Sequence, residues 1–178
     1  MFLYNHFPVL QSSDDDRWIQ LCSTPSGTFG HQMAVLNKMV YLVMEVPHVS
    51  HVFYRFDPID NSWTSLPYLW HDDNQYAFYG IVACNRCLFV FRGGNLYCYD
   101  PMASAAGIWT QRTPPRIRPF YCSATVDERF IYLSGWYDGN MERGNVVVER
   151  YDIQSDTWTT APETFPTCNE YLGRCAGW

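Results

Sequence analysis

YRFDPIDNSWTSLP (54–67) and ERYDIQSDTWTTAP (149–162) are two copies of one pattern. In each, an alternating run ends on an aromatic-Asp pair, Phe56-Asp57 or Tyr151-Asp152, crosses a short polar turn, and resumes at Trp63 or Trp158 before a Pro. Alternation interrupted by turn-forming residues is the pattern of two antiparallel strands. A third copy, LYCYDPMASAAGIWTQRTP (96–114), carries Tyr99-Asp100 and Trp109 with three extra residues in the turn, where insertion is tolerated. Working outward, Trp18, Trp63, Trp109 and Trp158 recur at intervals of 45, 46 and 49 residues, each followed by a Pro: Pro25, Pro67, Pro114 and Pro162.

Upstream of each Asp-to-Trp block lies a second hairpin pattern: MAVLNKMVYLV (33–43), IVACNRCLFVF (81–91) and SATVDERFIYLSG (123–135). Apolar runs flank Asn37-Lys38, Asn85-Arg86 and Asp127-Glu128-Arg129, polar groups of the size tight hairpins use. Each repeat therefore supplies four short strands. A four-stranded antiparallel unit recurring every 45 to 50 residues is the signature of a propeller blade.

These anchors resemble the Kelch repeat, from about Trp18 to Pro162. The resemblance rests on the aromatic-Asp pair, the polar turn and the Trp, and on a double glycine that Gly93-Gly94 matches fully and Gly135 followed by Trp136 matches half; Met44-Glu45 replace it in the first unit. It implies an all-β, Kelch-type β-propeller, a partial ring of about three complete four-stranded blades plus partial blades at both ends. The expected units are 1–30 as the end of a blade, 31–78, 79–120, 121–168, and 169–178 as the start of another. Trp18, Asp57, Trp63, Gly93, Gly94, Asp100, Trp109, Gly135, Asp152 and Trp158 are then structural anchors, the Trp packing between blades and the glycines allowing tight turns. An arc of this kind is expected to be a fragment, a truncated product, or a chain that completes its ring by self-association.

Composition agrees with this reading and narrows the function. A compact chain of 178 residues buries roughly 70% of its unfolded surface, and with 47% of them hydrophobic and 17% aromatic strands are favoured. The net charge of −6 removes the usual drive toward nucleic acid or anionic membranes. Without a long apolar segment or the basic start of a signal peptide, a cytoplasmic protein is expected. Seven Cys, an odd number spread through strand patterns, read as reduced, core-filling thiols.

Motifs for chemistry are sparse. Cys84 and Cys87 form a CxxC, yet Asn85-Arg86 between them occupies the hairpin turn that Asn37-Lys38 fills one repeat earlier, so both are read as structural. His31, His48, His51 and His71 lack further ligands at metal spacing, and Asp14-Asp15-Asp16 lacks the glycine and distant Glu of a calcium loop. No cofactor, no metal and no catalytic residue are expected. Binding is instead assigned to the connections between second and third strands and between blades, which a rigid scaffold presents. They contain Trp70, His71, Arg116, Arg118, Trp136, Tyr137 and Arg143, residue types enriched at binding hot spots.

The resemblance implies a protein-protein interaction module, similar to the substrate-recognition propellers of BTB-Kelch adaptors of cullin-RING ubiquitin ligases. Such a chain would bind a protein substrate itself and reach cullin-3 only indirectly, through a BTB domain that this sequence does not contain. An actin-associated or other cytoskeletal scaffold Kelch protein is the alternative. A copper oxidase-like propeller is a remote one.

Overall fold

A computed structural model describes residues 11–12, 15–18, 20–25, 29–46, 50–68, 80–116, 122–137 and 145–160. All regular structure among them is β. Strands β1 (Gln11–Ser12) and β2 (Asp15–Trp18) pair as a two-stranded sheet. Three four-stranded antiparallel sheets follow, each with its strands side by side in chain order. Blade 1 comprises β3 (Phe29–Leu36), β4 (Met39–Val46), β5 (Ser50–Asp57) and β6 (Ser62–Leu66). Blade 2 comprises β7 (Gly80–Cys84), β8 (Cys87–Arg92), β9 (Asn95–Asp100) and β10 (Ile108–Arg112). Blade 3 comprises β11 (Cys122–Asp127), β12 (Phe130–Tyr137), β13 (Asn145–Asp152) and β14 (Thr157–Thr160).

The first hairpin of each blade turns where the sequence indicates. Asn37 and Lys38 both take positive φ, 53° and 65°, as a type I′ turn requires, because only that twist matches the flanking strands. Asn85-Arg86 makes the same two-residue connection in blade 2. In blade 3 the turn is Glu128-Arg129 alone; Asp127 closes β11 and pairs with Phe130, so the expected triplet shortens to two. Gly93 and Gly94, at φ 54° and 79°, form a two-residue turn after β8. Without the double glycine, the second strand runs on: Met44 and Glu45 sit inside β4, and Gly135 inside β12 opposite Val147. The glycine pair thus sets the length of the strand, and its loss in blades 1 and 3 leaves the architecture intact.

The cores lie between blades, because alternate residues of each sheet face opposite neighbours. Leu36, Tyr41, Val43, Phe53 and Leu66 of blade 1 meet Ile81, Leu88, Val90 and Tyr99 of blade 2. On its other face blade 2 offers Val82, Phe89, Phe91, Leu96 and Cys98 to Ile131, Leu133, Tyr151 and Trp158 of blade 3. Blade 2 is buried on both faces, and β8 accordingly reads as a continuous apolar run. Full burial of each such side chain contributes about 1.5–3 kcal/mol.

Candidate partner-binding surface

The anchors of the repeat form one device, made three times. The aromatic residue before each Asp lies directly opposite the Trp of the next strand: Phe56 with Trp63, Tyr99 with Trp109, Tyr151 with Trp158. Their rings pack with centroids 5.0, 4.8 and 5.0 Å apart. The Asp bends the following turn by accepting from the backbone two residues on. Asp57 Oδ1 accepts from the Ile59 N–H at 2.8 Å, Asp100 Oδ1 from Met102 at 2.9 Å, and Asp152 Oδ1 from Gln154 at 3.0 Å. A side chain of that length is needed to mimic a backbone turn, which is why Asp recurs there.

Blade is clamped to blade through the Trp. Trp109 Nε1 donates to the Pro67 carbonyl at 2.9 Å, and Trp158 Nε1 to the Thr113 carbonyl at 2.8 Å. Two residues before each Trp stands a left-handed position: Asn61, Gly107 and Asp156, with φ of 49°, 70° and 54°. Asp156 Oδ1 accepts the Thr113 N–H at 3.0 Å and the Tyr151 hydroxyl at 2.6 Å. Asn61 Oδ1 likewise accepts the Cys22 N–H at 2.9 Å. Cys22 lies four residues after Trp18, the spacing that separates Thr113 from Trp109, so residues 20–25 meet blade 1 as the end of a preceding blade would. At the middle junction Pro67 has no N–H to offer, and Gly107 has no side chain to receive one. A Cβ on Gly107 would lie 2.2 Å from the Tyr99 ring, whose hydroxyl donates to the Ala106 carbonyl.

Charges gather where the first-to-second and third-to-fourth turns meet. Arg86 pairs with Asp100 at 3.5 Å. Arg129 grips Asp152 through Nε and Nη2, and with this guanidinium beside it the Asp152 carboxyl is held well below the usual carboxylate range. At Asp156 partial burial works to raise the carboxyl, but the Tyr151 hydroxyl, the Thr113 N–H and the Arg112 charge outweigh it and hold it low. On this end Ile59 and Met102 project at 87% and 71% exposure, from equivalent positions of adjacent blades.

The opposite end carries the connections to which binding was assigned. Arg116 is exposed, just past Pro114 and the buried Pro115. Trp136 and Tyr137 are not loop residues: they end β12, opposite Val146 and Asn145, because the alternation of FIYLSGWY carries the strand two residues past Gly135. Their side chains, and Trp70, His71, Arg118 and Arg143 entirely, lie outside the described residues. His31 is placed only by its backbone in β3, and His48 and His71 are not described.

Cys84, Cys87 and Cys98 lie at the blade 2–3 interface. Cys84 and Cys87 face each other across the β7–β8 hairpin, and Cys84 Sγ donates to the Glu128 carbonyl of blade 3 at 3.0 Å. Burial pushes both thiols up, Cys87 to about 12 with the neighbouring Cys98 adding to the effect. A reactive CxxC needs the opposite shift. Among the described residues no group of three or more His, Cys, Asp or Glu is placed to hold a metal ion.

Residues 118–164, which span all four strands of blade 3, match the family model described as Kelch motif. Blade 3 matches a Kelch motif. No curated protein matches the chain. With the all-β sheets, the motif supports a Kelch-type β-propeller, and Kelch repeats generally mediate protein-protein binding. Among the described residues no helix is long and apolar enough to cross a membrane.

The clamp residues Asn61 and Asp156 were not singled out in the sequence. Their signal is present, a polar residue two before Trp in two repeats and Gly in the third, but its meaning appears only when the neighbouring blade is in place.

Proposed function

We infer that this chain is a protein-recognition module, specifically the substrate-binding part of an adaptor of the BTB-Kelch type, with the ligase reached through a BTB domain on another polypeptide or elsewhere in a longer product. The observation that carries the reading is the rigidity of the junctions. Indole, backbone and side-chain bonds fix each blade to the next, so connections leaving the strands are held at low entropic cost for a partner. Arg116, Arg118 and Arg143 are the groups proposed to face that partner, gripping an acidic or polar peptide through bidentate guanidinium contacts.

The test is affinity capture with the full chain and with the Arg116→Ala, Arg118→Ala double variant, followed by a binding titration on each protein retained. A specific partner bound by the native chain and weakened by about 1–3 kcal/mol in the variant supports the recognition site. Loss of that partner's ubiquitination on cullin-3 depletion supports the adaptor reading. Co-sedimentation of the chain with actin filaments would favour the cytoskeletal scaffold, and stoichiometric bound copper the oxidase-like reading. Equal affinity of native and double-variant chains would remove the arginine site.

A further inference from the structure

Lysine is almost missing from these 178 residues. Of twelve Lys and Arg side chains, Lys38 is the one Lys and the other eleven are Arg. It stands with Asn37 at the tip of the β3–β4 hairpin, exposed and at a φ of 65°. Counted from the hairpin turns, Lys38 corresponds to Arg86 of blade 2 and Arg129 of blade 3. Both arginines are tied to the Asp of their own blade, Arg86 to Asp100 at 3.5 Å and Arg129 to Asp152. The matching Asp of blade 1 is Asp57, which accepts from the Ile59 and Asp60 N–H groups. Among the described residues Lys38 makes no ion pair with Asp57 or with any other carboxylate. Where the repeat holds a guanidinium down, blade 1 presents a free primary amine.

The two side chains differ in chemistry as well as in pairing. A guanidinium stays protonated at neutral pH, whereas a lysine amine is the acceptor in acylation and ubiquitination. An adaptor holds its substrate beside activated ubiquitin, so any lysine on the adaptor's own surface competes with those of the substrate. Arg at the other basic positions carries the positive charge without offering an acceptor. We propose that Lys38 is the position at which this chain is itself ubiquitinated, an inference that rests on the adaptor reading and adds to it a route for the adaptor's own turnover. The deprotonated Nζ attacks the thioester carbonyl of ubiquitin carried on a cysteine of a conjugating enzyme. The isopeptide C–N bond forms, the C–S bond breaks, the enzyme's thiol leaves, and the surplus proton of the amine passes to water. The hairpin tip lies at the end away from Arg116 and the connections between blades, so a partner bound there leaves the amine uncovered.

The test is to express the full chain in cells with the proteasome inhibited and to map ubiquitin remnants on it by mass spectrometry. The remnant should be found on Lys38, and Lys38→Arg should abolish conjugation and slow the decay of the chain after translation is blocked. That variant gives blade 1 the residue type of blades 2 and 3 at an exposed position, so circular dichroism and urea unfolding should match the native chain. A native chain without conjugates, or conjugates and decay unchanged in Lys38→Arg, would overturn the proposal. Cullin-3 depletion separates it from the adaptor reading. Lys38 conjugates that disappear support both, and Lys38 conjugates that persist support the site while counting against the adaptor. An unconjugated chain beside a captured partner whose ubiquitination depends on cullin-3 would sink the site alone.

Discussion

Replacing Asp156 by Ala removes a carboxylate that serves two blades at once, and its cost can be worked out from the contacts. The Tyr151 hydroxyl, on a ring that is fully buried, loses its acceptor at 2.6 Å, a loss of about 1–3 kcal/mol for an unsatisfied buried donor. The Thr113 N–H, at an exposed position, loses a bond of net value about 0.5–1.5 kcal/mol. Alanine must also adopt the φ of 54°, at about 1 kcal/mol. Asp156→Ala should therefore destabilise by about 2.5–5.5 kcal/mol. Asp156→Asn keeps an acceptor oxygen and a residue that tolerates left-handed backbone, so its cost should stay below about 1 kcal/mol. Acid separates the two carboxamide and carboxylate forms. The folded carboxyl lies below its ordinary 3.8, so its contribution is complete above that value and is lost as pH falls through the folded value. The Asn variant should lack this component. Urea unfolding followed by Trp fluorescence, at neutral and acid pH, gives all three quantities. Equal stability of the Ala and Asn variants would refute the clamp.

Further outcomes test the rest of the frame. Trp158→Phe should cost about 1–3 kcal/mol more than Trp63→Phe in the same unfolding assay, because Trp158 Nε1 holds the Thr113 carbonyl whereas Trp63 Nε1 is buried without a partner among the described residues. Gly107→Ala should destabilise by at least about 2 kcal/mol, through a Cβ driven into the Tyr99 ring and a φ of 70°. Carbon-detected NMR titration should find the Asp152 carboxyl below the ordinary range and rising when Arg129 is replaced by Ala. Cys87, its thiol pushed up to about 12, should resist alkylation at neutral pH as read by mass spectrometry, and become reactive on unfolding in urea.

Local chemistry made the blades legible. The Trp spacing, the aromatic-Asp pairs and the two-residue turns each depend on residues near in sequence, and all place strands where the structure has them. The insertion in the middle copy is likewise visible as the seven residues Pro101 to Gly107 between β9 and β10. Trp136 and Tyr137 end β12 instead of opening a connection, because Gly135 suggests a strand end while cross-strand pairing with Val146 and Asn145 carries β12 onward. The clamps were illegible for a different reason. Asn61 and Asp156 look like ordinary turn residues until a backbone N–H from the neighbouring blade arrives opposite them. Of the residues assigned to binding, Arg116 alone is described with its side chain, so the assignment itself is carried by the proposal.

The pairing of Pro67 with Gly107 has a consequence for the order of the blades. At that junction donor and acceptor are deleted together, whereas Thr113 with Asp156 keeps both. The junctions are therefore not interchangeable parts. Were blade 3 transplanted to follow blade 1, Asp156 would face a proline with nothing to donate, and blade 2 set after itself would leave the Thr113 N–H opposite a bare glycine. The Pro67–Gly107 seam alone accepts the neighbour it has and penalises the others by about one hydrogen bond, so a chain built of near-identical units still distinguishes the place of blade 2 from a shuffled one.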